Sequence, residues 1–199
     1  MMSMRVLRGL AVGGLVLLGV GCAEDPLPMT GSASWRVRCP ASMTGANCNV
    51  TSHTVRGSAG APTVDLSCNV VPTTGGTSIT FRIAAIASGQ NFSESQEGLF
   101  ATGVLDRVGA ELRSGENGGF VQIRGPGWGV TAENGTIGVT GVCHVFIDAL
   151  NGQSFRGRIA CANVQDDLSP PRSREVIGLI PQTTTNEYAE FTFSNCDRR

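Results

Sequence analysis

Seven cysteines, two histidines and one adjacent pair of aspartates hold most of the reactive chemistry in this 199-residue chain. The acids close the stretch Asn163-Val-Gln-Asp166-Asp167, just before Pro170-Pro171. Neighbouring carboxylates beside an amide offer the hard oxygens that calcium takes, but the spacing matches no calcium loop. Solvated loop acids are the plainer expectation. His53 lies in a polar segment without an acidic neighbour, and His144 has Asp148 four residues on. Four residues along one strand separate two side chains by about 13 Å, too far for a hydrogen bond. No Gly-x-Ser-x-Gly elbow occurs, and nothing selects two carboxylates at glycosidase separation. With no Cys-x-x-Cys pair and no histidines at ligand spacing, zinc is not expected either. The expectation is exposed histidines, no catalytic residue, no metal and no cofactor.

Two sets of residues remain as candidates for ligand contact. Trp128 sits in Gly125-Pro-Gly-Trp-Gly129, where a mobile loop would present its ring for stacking on a sugar or anchoring a protein. The alternative is a ring folded back over the open end of the fold. Arg36, Arg38, Arg82, Arg156 and Arg158 alternate with apolar neighbours and so face outward. Arginine forks suit carboxylates and sulfates, although outward arginines also serve solubility and edge protection. Trp128, Arg156 and Arg158 are the ligand-contact candidates.

Where these residues are displayed is set by the first two dozen. Arg5 and Arg8 precede the apolar run from Gly9 to Val20, and small residues lead into Cys22. About 12 apolar residues are too few to cross a bilayer as a helix, which takes about 20. A basic start, a short apolar run and a small-residue site read as a signal peptide over residues 1–21. Gly19-Val20-Gly21-Cys22 resembles the lipobox of bacterial lipoproteins, whose cysteine is acylated and becomes the mature N-terminus. Leu18 stands one place earlier than that family's usual leucine. Gly21-Cys22-Ala23 also fits the small-x-small rule of ordinary signal peptidase, which would cut before Glu24. For a lipoprotein, Ala23 after the cysteine implies export to the outer membrane. Residues 22–33, with two prolines, read as a tether, leaving 34–199 as a single domain.

Either route leaves Cys39, Cys48, Cys68, Cys143, Cys161 and Cys196. An even set in an exported chain reads as three disulfides. Three lie before residue 70 and three after 140, so at least one bridge joins the halves. Asn151-Gly152 is a hairpin signal between two alternating runs. The register that pairs apolar with apolar sets Cys143 opposite Cys161, Val145 opposite Ile159 and Asp148 opposite Arg156. It requires an odd loop, Asn151-Gly152-Gln153, and a cross-strand Cys143–Cys161 bridge. Cys48–Cys68 and Cys39–Cys196 complete the expected set.

The rest reads as strands. Trp35-Arg-Val-Arg-Cys39 and Val64-Asp-Leu-Ser-Cys68-Asn-Val70 alternate strictly. Ile79–Ala85, Phe120–Arg124, Thr136–Val142 and Glu187–Phe193 follow, with turns at Pro72–Gly76 and Asn134-Gly135. Leu99–Leu112 reads as weaker strands or as a strand and a short helix from Leu105. No sustained 3.6-residue period with caps appears. The expectation is all-β, a disulfide-stapled β-sandwich with the jelly roll as one version and a closed barrel second.

All 15 cations are arginine and offset 16 acids, for a net charge of −1. Without a basic block, nucleic-acid binding is not expected. An early cysteine, a Cys-stapled β-domain, arginine without lysine and Phe155-x-Gly157-x-Ile159-x-Cys161 together resemble small surface lipoproteins of Gram-negative bacteria, myxobacteria among them. The resemblance implies a cell-envelope location, with the membrane engaged through the N-terminal lipid. The functional expectation is a non-catalytic binding or adhesion module for a glycan or an envelope protein. A structural subunit of an outer-membrane or surface complex is the alternative, and a secreted hydrolase ranks last.

Overall fold

Along Thr-Gly-Ser-Ala-Ser-Trp-Arg-Val-Arg, Ala33, Trp35 and Val37 are buried while the residues between them turn outward. That period of two is a strand with one face in the core, and it recurs throughout. The computed structural model describes residues 27–38, 51–95, 97–113, 119–125, 127–133, 142–168, 172–177 and 188–198. The signal segment, Cys22, Cys39, Cys48, residues 134–141 and Pro170-Pro171 lie outside them.

The described strands are β1 (Thr30–Arg38), β2 (Thr51–Ser58), β3 (Val64–Thr73), β4 (Gly76–Ala85), β5 (Glu97–Leu105) and β6 (Phe120–Gly125). After these come β7 (Trp128–Glu133), β8 (Val142–Asn151), β9 (Ser154–Gln165), β10 (Ser173–Ile177) and β11 (Ala189–Ser194). The first sheet runs β2, β1, then β11 and β10 end to end, then β9 and β8. Both short strands fit between β1 and β9 because β11 pairs with Thr30–Ser34 while β10 pairs with Arg36–Arg38. The second sheet, β3 to β7, is an antiparallel meander in sequence order. A jelly roll's two Greek keys would instead bring strands distant in sequence together there. The β-sandwich expectation holds; its jelly-roll version does not.

Phe81 of β4 joins the sheets, its ring 4.5 Å from Phe191, 5.0 Å from Phe193 and 5.6 Å from Phe155. Gly157 makes room for this cluster: a Cβ there would lie 2.1 Å from the Phe146 carbonyl oxygen and 2.6 Å from the Phe191 ring.

The β8–β9 hairpin has the expected register from Cys143↔Cys161 to Ile147↔Gly157, and then slips. Asp148 is bulged, so Arg156 stands opposite Ala149 and the turn is the two residues Gly152-Gln153. Gly152, at φ +61°, takes the left-handed conformation at the first turn position. The odd residue sits in the bulge, not in the loop. Cys143 bonds Cys161.

Cys68 bonds Cys196, which overturns both the Cys48–Cys68 and the Cys39–Cys196 pairings. After β11 the chain turns at Asn195, φ +58°, leaves the first sheet and lies parallel to β3. The Val70 amide donates to the Asp197 carbonyl at 2.8 Å, and the Asp197 amide to the Cys68 carbonyl at 3.0 Å. The bridge thus ties the two sheets together along an edge. The tether is shorter than expected: the Pro28 carbonyl accepts from the Asn195 side chain and the Met29 carbonyl from the Ala59 amide.

After β5, residues 106–113 make a tight excursion over β8, not a helix. The Leu112 amide donates to the Val145 carbonyl at 2.7 Å and the Ile147 amide to the Ala110 carbonyl at 3.3 Å, covering the β8 edge. Arg113 Nε reaches both Asp106 oxygens at 2.9 Å, and its hydrogen bonds hold that carboxyl below the usual aspartate value. A lowered pKa gives a contribution present above the ordinary aspartate value and lost as pH falls through the lowered one. Both side chains are exposed, so the expected effect of Asp106→Asn is slight and screened by salt. Acid titrations of both proteins at low and high salt check this.

Candidate functional site

Trp128 does not project from a mobile loop. Only residues 126–127 separate it from Gly125, with which it pairs across β6 and β7, and Gly127 makes the turn at φ +73°. Its ring folds back over Gly125, where a Cβ would come within 2.2 Å of the indole. Arg174 covers the ring, its guanidinium carbon 5.0 Å from the centroid. Trp128 is 9% exposed.

Asp166, fully buried, holds Arg174 there through bonds from Nε at 2.9 Å and Nη2 at 2.8 Å. Its other oxygen accepts from the Arg172 amide at 2.8 Å and the Leu168 amide at 3.3 Å. Asp167 accepts from the Gly129 amide at 2.6 Å and lies 3.6 Å from Arg124. Asp166 is not the solvated loop residue expected, since its lone pairs are spent on protein donors, whereas the Asp167 side chain, 57% exposed, does meet solvent. These contacts seal the β7 edge to the end of β9. The cleft beside them, about 230 Å³, falls below the usual range for ligand pockets of about 300–1,000 Å³.

Arg158 is not free either. Asp148, carried past Arg156 by the bulge, binds Arg158 through two bonds of 2.7 and 2.9 Å. The Phe146 and Tyr188 rings lie 5.5 and 4.8 Å from its guanidinium carbon. The hydrogen bonds that it donates to Asp148 hold Arg158 above the ordinary arginine value. Arg156 remains exposed.

The histidines correct the expectation of exposure. His53 is 3% exposed, stacked on Trp35 at 5.3 Å, with Nε2 2.9 Å from the Thr51 hydroxyl. Glu97 lies 3.3 Å from Nδ1 but outside hydrogen-bond geometry. His144 is mostly buried, its Nδ1 2.7 Å from Glu111, a partner supplied by the excursion over β8.

The sequence reading missed the outer face of the meander. There Phe100 of β5 and Phe120 of β6 lie diagonally across neighbouring strands, their centroids 5.1 Å apart. Cross-strand pairing aligns Ser67, Arg82, Phe100, Gln122 and Thr131 in one row. Asn69, Thr80, Thr102 and Phe120 form the next. Thr80 and Thr102 share a hydrogen bond at 2.8 Å, and Arg82 is steered by Asp65 at 2.9 Å. Inward neighbours Ile83, Leu99, Ala101, Val121 and Ile123 are all 0–1% exposed, so the two rings stand on a fixed base. Strand spacing of about 4.8 Å and residue spacing of about 6.7 Å put amide, hydroxyl and guanidinium groups within a sugar's width of the rings. The chemistry available is apolar stacking ringed by hydrogen-bond donors and acceptors.

No protein-family model, curated protein or solved structure matches this chain.

Proposed function

We propose that this chain is exported, acylated at Cys22, and held at the outer membrane as a non-catalytic module that binds a glycan. The Phe100–Phe120 pair on the meander's outer face carries the reading. Two half-buried aromatic rings at the centre of a rigid sheet, bordered by Arg82, Gln122, Thr80 and Thr102, offer an apolar ring face and polar hydroxyls matching partners at once. The disulfides suit the oxidising side of a membrane. This glycan site replaces the one expected at Trp128, whose ring is already covered.

Affinity electrophoresis of the exported chain through gels containing envelope polysaccharide tests the site. Phe100→Ala is expected to weaken retardation about tenfold or more, as loss of an aromatic hot spot does. Thermal unfolding of the same variant shows whether the fold survives. Gln122→Ala, which removes only a polar contact, is expected to cost less. Unchanged retardation in a folded Phe100→Ala variant would remove the platform from the account. Incorporation of labelled palmitate, lost in Cys22→Ser, tests acylation separately.

A further inference from the structure

We infer that the opposite, outer face of the first sheet rests on a bilayer surface of anionic phospholipid headgroups, leaving the Phe100–Phe120 face turned outward. Cross-strand pairing lines up Arg56, Ser32, Thr192 and Arg156 as one row across β2, β1, β11 and β9. The next row carries Thr54, Ser34, Glu190 and Arg158, and Arg36 follows on β1. Among the described residues no carboxylate pairs with Arg36, Arg56 or Arg156, whereas Glu175 occupies Arg38 and Asp148 occupies Arg158. Glu190 is the acid that interrupts the face. Unpaired guanidinium groups interleaved with the Ser32, Ser34, Thr54 and Thr192 hydroxyls fit phosphate oxygens.

The length of chain before β1 selects a membrane as the occupant. Pro28 and Met29 are already hydrogen-bonded to the domain, so residues 22–27 alone separate it from the acylation site. Six residues span at most about 20 Å, and the arginine row begins at Ser32, two residues into β1. This argument rests on acylation at Cys22, which would hold that end of the sheet beside the bilayer. Leu27, 75% exposed in the tether, and the Phe146–Tyr188 pair around Arg158 on the same face add groups suited to a headgroup boundary.

The test uses the exported, oxidised chain carrying Cys22→Ser, so that no acyl group contributes to binding. Co-sedimentation with phosphatidylglycerol vesicles is compared with pure phosphatidylcholine vesicles, at low and high salt. Binding to the anionic vesicles alone, weakened by salt, is expected. Arg36→Gln, Arg56→Gln and Arg156→Gln should each weaken it about fivefold, and the triple variant about a hundredfold. Arg124→Gln, an equal charge change on the other sheet, should leave it unaltered. Absent vesicle binding, or equal losses with Arg124→Gln, would overturn the inference. So would retention by soluble dextran sulfate without vesicle binding, which would give the face to a polyanionic polysaccharide. Because the probe is unacylated and carries an intact Phe100–Phe120 face, these failures leave palmitate labelling and glycan retardation to stand on their own results.

Discussion

Removing the Cys68–Cys196 bridge by Cys68→Ala with Cys196→Ala is expected to lower unfolding stability by about 5 kcal/mol. The two residues are 128 apart in sequence, and cross-linking so long a loop strongly restricts the unfolded chain. Cys143 and Cys161, 18 apart, close a short loop, and their double alanine variant is expected to lose about 3 kcal/mol. A loss of about 5 kcal/mol equals the whole stability of many domains. Urea unfolding of the oxidised proteins measures both. A cost below about 2 kcal/mol for the longer bridge would mean that the hydrogen bonds between Asp197 and β3 already fix the junction of the sheets.

The second large effect is expected at Asp166. Asp166→Ala should cost about 3–5 kcal/mol, because it leaves the nearly buried Arg174 guanidinium without its carboxylate and orphans the Arg172 and Leu168 amides. Since Arg174 lies against the Trp128 ring, the same substitution should red-shift tryptophan emission as that ring becomes wetter. Trp35, 0% exposed on another strand, should contribute little to the shift. An unchanged spectrum and an unchanged unfolding midpoint would show that the ion pair does not hold the edge. The experiment also distinguishes the two sequence-level readings of Trp128, since a projecting ring would not respond to Asp166.

Local alternation was legible in the sequence wherever apolar and polar residues took strict turns. Trp35 and Val37 faced inward as their spacing required, and Cys143 met Cys161 because only one register buried Val145 against Ile159. The same rule failed five residues after Cys143, at Asp148: a bulge adds a residue without a distinctive sequence mark, so the acid reached Arg158 and not Arg156. Cys68–Cys196 was hidden for a different reason. It depends on the path of the chain after β11, which no local pattern encodes.

Some of the site was there to be found. Thr51-Ser-His-Thr-Val55 alternates, and Val55 inside implies His53 inside. In Phe120-Val-Gln-Ile, inward Val121 and Ile123 force Phe120 outward. Phe100 gave no such signal, since its neighbours Leu99 and Ala101 are apolar too and the run reads as buried on both faces. Glycines on both sides of Trp128 suggested mobility. In the folded chain Gly127 makes a tight turn and Gly125 provides the flat backbone on which the indole lies.

The most direct test of the proposed function offers the oxidised domain as bait to separate polysaccharide and protein fractions of the cell envelope. Retention of polysaccharide, lost with Phe100→Ala and kept with Trp128→Phe, is the expected result. Capture of a stoichiometric protein with no polysaccharide retained would contradict glycan recognition and make the chain a subunit of an envelope assembly.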